Sequence, residues 1–209
     1  DGILKNQGLE RFTGNASITH DWNRLSLRVT TLISKMNQSL VDEGTSYVGA
    51  LANYCFYQTP SSTPYNTDGS LNTGCGIFGV NPLYELQHSS DKNIVKRSFT
   101  TAQLTYNIWD NLKLSEKLAY DYTDGRENVL WDRYSNNGAP GAVLQRVINE
   151  YEKLNTQTQL SYIKSFGQHN VDALLGFETE DYTYRYDYSH GSDYPGDLYE
   201  LENASTTSA

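Results

Sequence analysis

The chain has little of what a compact soluble core needs. Only 37% of its 209 residues are hydrophobic, with one Met, five prolines and two cysteines, and its mean hydropathy is strongly negative. No stretch approaches the roughly 20 consecutive apolar residues of a membrane-spanning helix, so helical spans are excluded. Cationic charge is also short. Sixteen Lys and Arg against 25 Asp and Glu leave a net charge of -9, without the basic footprint that nucleic acid demands. His20, His88, His169 and His190 are scattered, with no HExxH or CxxC spacing to hold a metal or run redox chemistry. The run Ser189-His190-Gly191-Ser192-Asp193 lacks the GxSxG elbow of a nucleophilic triad. Neither an enzyme nor a cofactor site is expected. The start at Asp1, without a secretory leader, and the end in Asn203-Ala204-Ser205-Thr206-Thr207-Ser208-Ala209 predict a fragment of a longer protein.

What the chain does have is alternation and 17 tyrosines. In QTQLSYIKSFGQHNVDALLGFETEDYTYRYDY, residues 157–188, Val171, Ala173, Leu175 and Phe177 fall on one side of a strand. Asn170, Asp172, Gly176 and Glu178 fall on the other, with Leu174, because strand side chains point alternately to opposite faces. The same plan appears twice earlier. Phe12, Gly14, Ala16, Ile18 and Trp22 precede a turn at residues 21–24, after which Leu25, Leu27, Val29 and Ile33 resume the apolar parity. Ala102, Leu104, Tyr106 and Ile108 precede a turn at 109–111, and Leu112, Leu114, Leu118, Tyr120 and Tyr122 follow it. Glu116 interrupts that last row, so it lies near an interface or the parity slips there. The pattern predicts an all-β fold: an antiparallel, up-and-down section of a transmembrane β-barrel, about six long strands in three hairpins with long extracellular loops.

The connections are expected to run from about Ser39 to Val95 and from about Thr123 to Asn149, longer than compact domains use without a functional reason. In the second, Val143, Leu144, Val147, Ile148, Tyr151 and Leu154 have amphipathic-helix spacing, so residues 142–154 fit a helical turn or two. In the first, Cys55 and Cys75 flank a turn-rich segment. Pairing them closes a loop of about 20 residues, worth roughly 3 kcal/mol in the chain-entropy model, and a disulfide fits an exported location. Asn66-Thr67-Asp68-Gly69 has some of the residues of a calcium loop but not its spacing, and reads as a turn.

These residues resemble a known family. LSYIKSFGQHNVDALLGFE, through Leu160, Tyr162, Phe166, Gly167, His169, Gly176 and Glu178, is similar to the penultimate-hairpin signature of the SusC/RagA family of TonB-linked (TonB-dependent) outer-membrane transporters. Pro64-Tyr65-Asn66-Thr67-Asp68-Gly69-Ser70, then Asn81-Pro82-Leu83, then Arg97, stand in the family's order, and Arg11-Phe12 resembles its strand start. The resemblance implies that residues 1–209 are a partial TonB-dependent receptor β-barrel domain, without plug or barrel closure. It further implies a bacterial outer-membrane location, import of glycan oligosaccharides or peptides, a SusD-like surface lipoprotein as partner, and coupling to TonB through the missing plug.

Cargo contact is expected at the upper rim. The candidates are Tyr57, Tyr65, Asn66 and Asp68 of the first loop, Trp131 and Tyr134 of the second, and the ladder Tyr182, Tyr184, Tyr186 and Tyr188 on the lumenal parity. Aromatic faces with polar tips suit sugars and peptide backbones, although an interfacial aromatic girdle or plain strand packing accounts for the same tyrosines. The competing class is a soluble all-β carbohydrate-binding module, whose sandwich would show turn signals every 8 to 12 residues or so.

Overall fold

The computed structural model describes residues 6–41, 58–75 and 79–208. It contains strands β1 (Gly8–Trp22), β2 (Leu25–Leu40), β3 (Ser89–Trp109), β4 (Leu112–Trp131), β5 (Val143–Phe166), β6 (His169–Ser192) and β7 (Thr206–Ser208). A short helix, α1 (Pro82–His88), precedes β3, and one 3-10 turn (Leu201–Asn203) precedes β7. The strands form a single sheet in chain order, every neighbouring pair antiparallel. The sheet does not close on itself.

The three expected hairpins are present, each closed by two residues: Asn23-Arg24, Asp110-Asn111 and Gly167-Gln168. Asn23 (φ 43°) and Gly167 (φ 62°) occupy the left-handed region, which tight hairpin turns require and which Asn and Gly tolerate best. Arg24 ties the first hairpin to the second: its Nη1 donates to Ile108 O at 3.1 Å and its carbonyl accepts from Asn107 N at 2.8 Å. The register shifts there, between Asn107 and Trp109.

The strands exceed expectation at the loop end. β4 continues to Trp131 and β5 begins at Val143, so the second connection spans only residues 132–142. Residues 142–154 are not helical. Val147 and Ile148 pair with β4 on one side and β6 on the other. Their apparent helical spacing arises because an i, i+4 repeat is also a multiple of the strand period of two, and here both faces of the strand carry apolar residues. The first connection is shortened as well, since α1 and the start of β3 occupy residues 82–95.

The register separates two faces, here called front and back. The front carries the row Trp22–Leu25–Tyr106–Leu114–Leu160–Leu175 near the turns. About ten residues further along each strand it carries Phe12–Lys35–Lys96–Asp124–Glu150–Arg185. The back is polar near the turns and mixed further out. Its turn-end row is Asp21–Ser26–Thr105–Ser115–Gln159–Gly176, and its loop-end row is Arg11–Met36–Val95–Gly125–Asn149–Tyr186. Glu116 keeps its register on the front between Leu104 and Thr158, close to the turn end, and accepts a hydrogen bond from Thr158 Oγ1.

No second sheet covers the front among the described residues. Ile18, Leu175 and Phe177 remain 72%, 71% and 67% exposed, which a soluble sandwich would bury. Buried apolar packing is concentrated at the loop end, where Ala142, Leu144 and Tyr194 meet Leu130, Tyr199, Leu201 and Ala204. Gly191 permits that packing, because a Cβ there would sit 2.6 Å from Tyr194 Oη.

Candidate functional site

The loop end is organised around α1. Its N-cap, Asn81, is fully buried; its Oδ1 accepts from Leu83 N at 3.0 Å and Pro82 begins the helix, the residue types that this terminus favours. Asn81 Nδ2 then donates to Pro64 O and to Asn72 O, both at 2.8 Å. One side chain thus caps a helix and satisfies two carbonyls of the preceding loop.

Within that loop, Asn66 N donates to Ser70 O and Asn72 N to Pro64 O, and Gly69 takes φ 84°. Asp68 Oδ1 accepts from Ser70 N (2.9 Å) and Ser70 Oγ (2.7 Å); these bonds, the side-chain one first, hold its carboxyl below the usual carboxylate range. Asn66 Nδ2 donates to Ser70 Oγ at 2.9 Å. Two of the predicted contact residues, Asn66 and Asp68, therefore spend hydrogen bonds on their own turn. Tyr65 is exposed. Tyr57 and Cys55 lie outside the described residues. Cys75 is a free, buried thiol that donates to Gln58 Oε1 at 3.6 Å, and burial raises its pKa. The expected disulfide is not seen at Cys75.

The opposite side of α1 clamps the second loop. Both oxygens of the buried Glu85 carboxylate accept from Asn136 N, at 2.9 and 3.1 Å. His88 Nδ1 lies 2.7 Å from Asp132 Oδ2, and Asp132 N donates to His88 O at 2.9 Å. The Tyr84, His88 and Tyr134 rings follow one another at 4.3 and 5.5 Å between centroids. Burial raises the Glu85 pKa, partly offset by the Asn136 hydrogen bond and by His88. Beside this clamp, Trp131, Leu40, Val41, Leu86 and Val129 line a cleft of about 310 Å³. Through α1 the structure brings Tyr65, Trp131 and Tyr134 to one end of the sheet.

The tyrosine ladder is a separate surface on the back of β6. Tyr182, Tyr184, Tyr186 and Tyr188 oppose Lys153, Tyr151, Asn149 and Val147. Tyr182, Tyr184 and Tyr186 stay half-exposed. Tyr184 Oη donates to Asn149 Oδ1 at 2.8 Å, and Tyr151 and Tyr182 rings approach to 4.9 Å. The ladder adjoins an array that alternation alone did not reveal: Lys153 Nζ to Glu180 Oε2 at 2.8 Å, and Arg97 gripping Asp121 through Nε and Nη2 at 2.8 and 2.6 Å. The readable signal was parity. Arg97, Asp121 and Tyr151 all fall on the back face, but only the strand register shows that they are neighbours.

Together these features define a long, open, up-and-down antiparallel sheet whose short helix and buried polar junctions lie at the loop end. Solved structures share this architecture. The chain is similar to the RagAB peptide importer in its closed-closed state (TM-score 0.76, 14% identity) and its open-open state (0.75, 16%), and to the RagAB peptide transporter (0.77, 14%). In each case 96% of this chain aligns, and it spans 23% of the other chain's length. At these identities the likeness is one of fold. No protein-family model matches the chain, and no curated protein matches it.

Proposed function

We propose that the chain is a section of the β-barrel of a nutrient importer in a bacterial outer membrane, a TonB-dependent receptor of the SusC/RagA type. The front is its lipid face and the back its lumen. The observation that carries this reading is the edge of the front's apolar block. Apart from Glu116 and Lys164 near the turn end, the first charged residues met on the front in moving away from the turns are Glu10, Lys35, Lys96, Asp124, Glu152 and Asp181 on β1 to β6. Asp181 stands in the row of Ala16, so the edge slides from position 10 to position 16 of β1, or six residues, across five strand steps. Strands about 4.8 Å apart and tilted by about 40° in a flat membrane require a slide of roughly 4 Å per step, or about six residues in total. A surface shaped only by solvent has no reason to follow that diagonal.

On this reading the two-residue turns face the periplasm and the loop end faces outward. The strands outrun the membrane there, where the front turns charged and the back mixed. The lumen above the lipid becomes aromatic, which suits peptide or glycan cargo, and a SusD-like lipoprotein covers the loops. Energy enters through TonB and a plug outside this section. The likeness to structures of the RagAB peptide importer favours peptide. The test uses the full-length protein, with Cys55 and Cys75 replaced by Ser and an environment-sensitive fluorophore on a single cysteine at position 175 or 176. Lipid-borne quenchers should quench the label at 175 strongly and that at 176 little. Equal quenching overturns the assignment.

A further inference from the structure

Lys35 and Lys96 stand directly opposite each other on the front of β2 and β3. Both are exposed, and among the described residues neither has an ion-pair partner. Like charges directly across a pair of strands are destabilising unless something neutralises them. The neighbouring carboxylates form no ion pair with either lysine. Asp124 opposes Lys96, but its Oδ1 is taken by Arg126 Nε at 3.1 Å, and Glu10 opposes Asn37 rather than Lys35. Further across the same face the charges are matched, as in Glu150 with Arg185 at 3.5 Å. Lys92 adds a third exposed cation on the same face of β3, four residues further out.

The height of the pair is informative. From Leu25 to Lys35, and from Tyr106 to Lys96, each strand advances about ten residues, or roughly 33 Å. At a tilt of about 40° this is roughly 25 Å of vertical rise, the height of the apolar band of such barrels. The pair therefore sits where the band ends, level with lipid headgroups, pointing outward.

We propose that Lys35 and Lys96 form a docking point for the phosphate of an outer-leaflet lipid headgroup. This rests on the front being the lipid face. Two ammonium groups spaced by one strand separation suit an anion with several acceptor oxygens, and the tails then lie along Ile33, Val29 and Ala102 below.

The test is native mass spectrometry of the full-length protein after exposure to lipid A or to its dephosphorylated form, with bilayer insertion checked by the fluorophore experiment above. Wild type should retain lipid A at least about tenfold more than the dephosphorylated lipid. The double variant Lys35→Gln/Lys96→Gln should lose that preference, Lys35→Arg/Lys96→Arg should keep it, and Lys113→Gln/Lys117→Gln on the back face should behave as wild type. Equal retention by wild type and the Gln variant, in protein that inserts, overturns the proposal while leaving the barrel reading intact. So does complete displacement by millimolar inorganic phosphate, which would mark a free-anion site. Failure of wild type to insert would overturn both.

Discussion

Asn81, buried to zero exposure, donates a hydrogen bond of 2.8 Å to the carbonyl of Pro64, and so joins the loop of residues 64–72 to the helix that starts one residue later. Pro64 and Asn81 belong to two sequence elements separated by the 76–78 segment and a free cysteine. A single amide makes them one unit.

Asn81→Ala should therefore act locally. It removes an N-cap, worth about 1 kcal/mol, and strips the half-buried Asn72 carbonyl of its Asn81 donor, at about 1–3 kcal/mol, while Pro64 O keeps its bond from Asn72 N. Proteolysis and hydrogen exchange within residues 64–72 should accelerate by tenfold or more, while the melting temperature of the sheet stays within a few degrees. A large loss of sheet stability would show that the loop end is not the separate unit described.

The Glu85 clamp predicts a pH dependence with a definite sign. Burial raises the carboxyl above its ordinary value of 4.5, so the folded junction binds the proton more tightly than the unfolded chain does. Its contribution to stability is complete below about pH 4.5 and declines as pH rises through the raised value. Trp131 fluorescence, followed during thermal melting between pH 4 and pH 7, should report a junction that weakens upward, and Glu85→Gln should flatten that trend. A junction that strengthens over the same range would contradict the assignment.

Arg97 and Asp121 should show modest coupling despite their two-pronged geometry. Arg97 is 48% exposed at its side chain and Asp121 15%, so solvent screens the pair, and a double-mutant cycle should return about 0.5–1 kcal/mol. Arg97→Lys should lose most of it, because a point-like ammonium cannot reproduce the fork. Equal stability of Arg97→Lys and wild type would count against the bidentate pair.

Cargo contact, which belongs to the proposed importer function, is tested in the full-length protein. Trp131→Ala and Tyr184→Ala should each weaken cargo affinity by about tenfold, the cost of about 1.4 kcal/mol of lost aromatic contact, and slow growth on that cargo. Tyr184→Phe should retain most of the affinity, since it keeps the ring and gives up only the bond to Asn149. Unchanged affinity and growth in both Ala variants, with protein still reaching the membrane, would reduce the ladder to strand packing.

Much of the sheet was legible because the strand period is short and local. The residues at 21–24, 109–111 and 165–168 carry turn chemistry, and the parity of Val171 to Phe177 against Asp172 to Glu178 assigns faces from the sequence without coordinates. The same logic failed at Val143–Leu154, where four-residue spacing satisfies helix and strand alike; hydrogen bonds from β4 and β6, invisible along the chain, decided for strand. The candidate site was legible only in its residue types. Tyr65, Trp131 and Tyr134 could be named as rim aromatics.

Alternation, turn residues and charge by themselves determined an antiparallel sheet of long strands whose faces near the turns differ in polarity. Tertiary structure decided everything that depends on register between distant strands: that Lys35 meets Lys96, that Arg97 reaches Asp121, that the apolar edge descends obliquely, and that Asn81 and Glu85 bind loops on either side of one short helix. The division is physical. Side-chain direction along a strand is fixed every two residues by backbone geometry, whereas neighbours across the sheet are set by pairing between segments tens of residues apart, which no local pattern encodes.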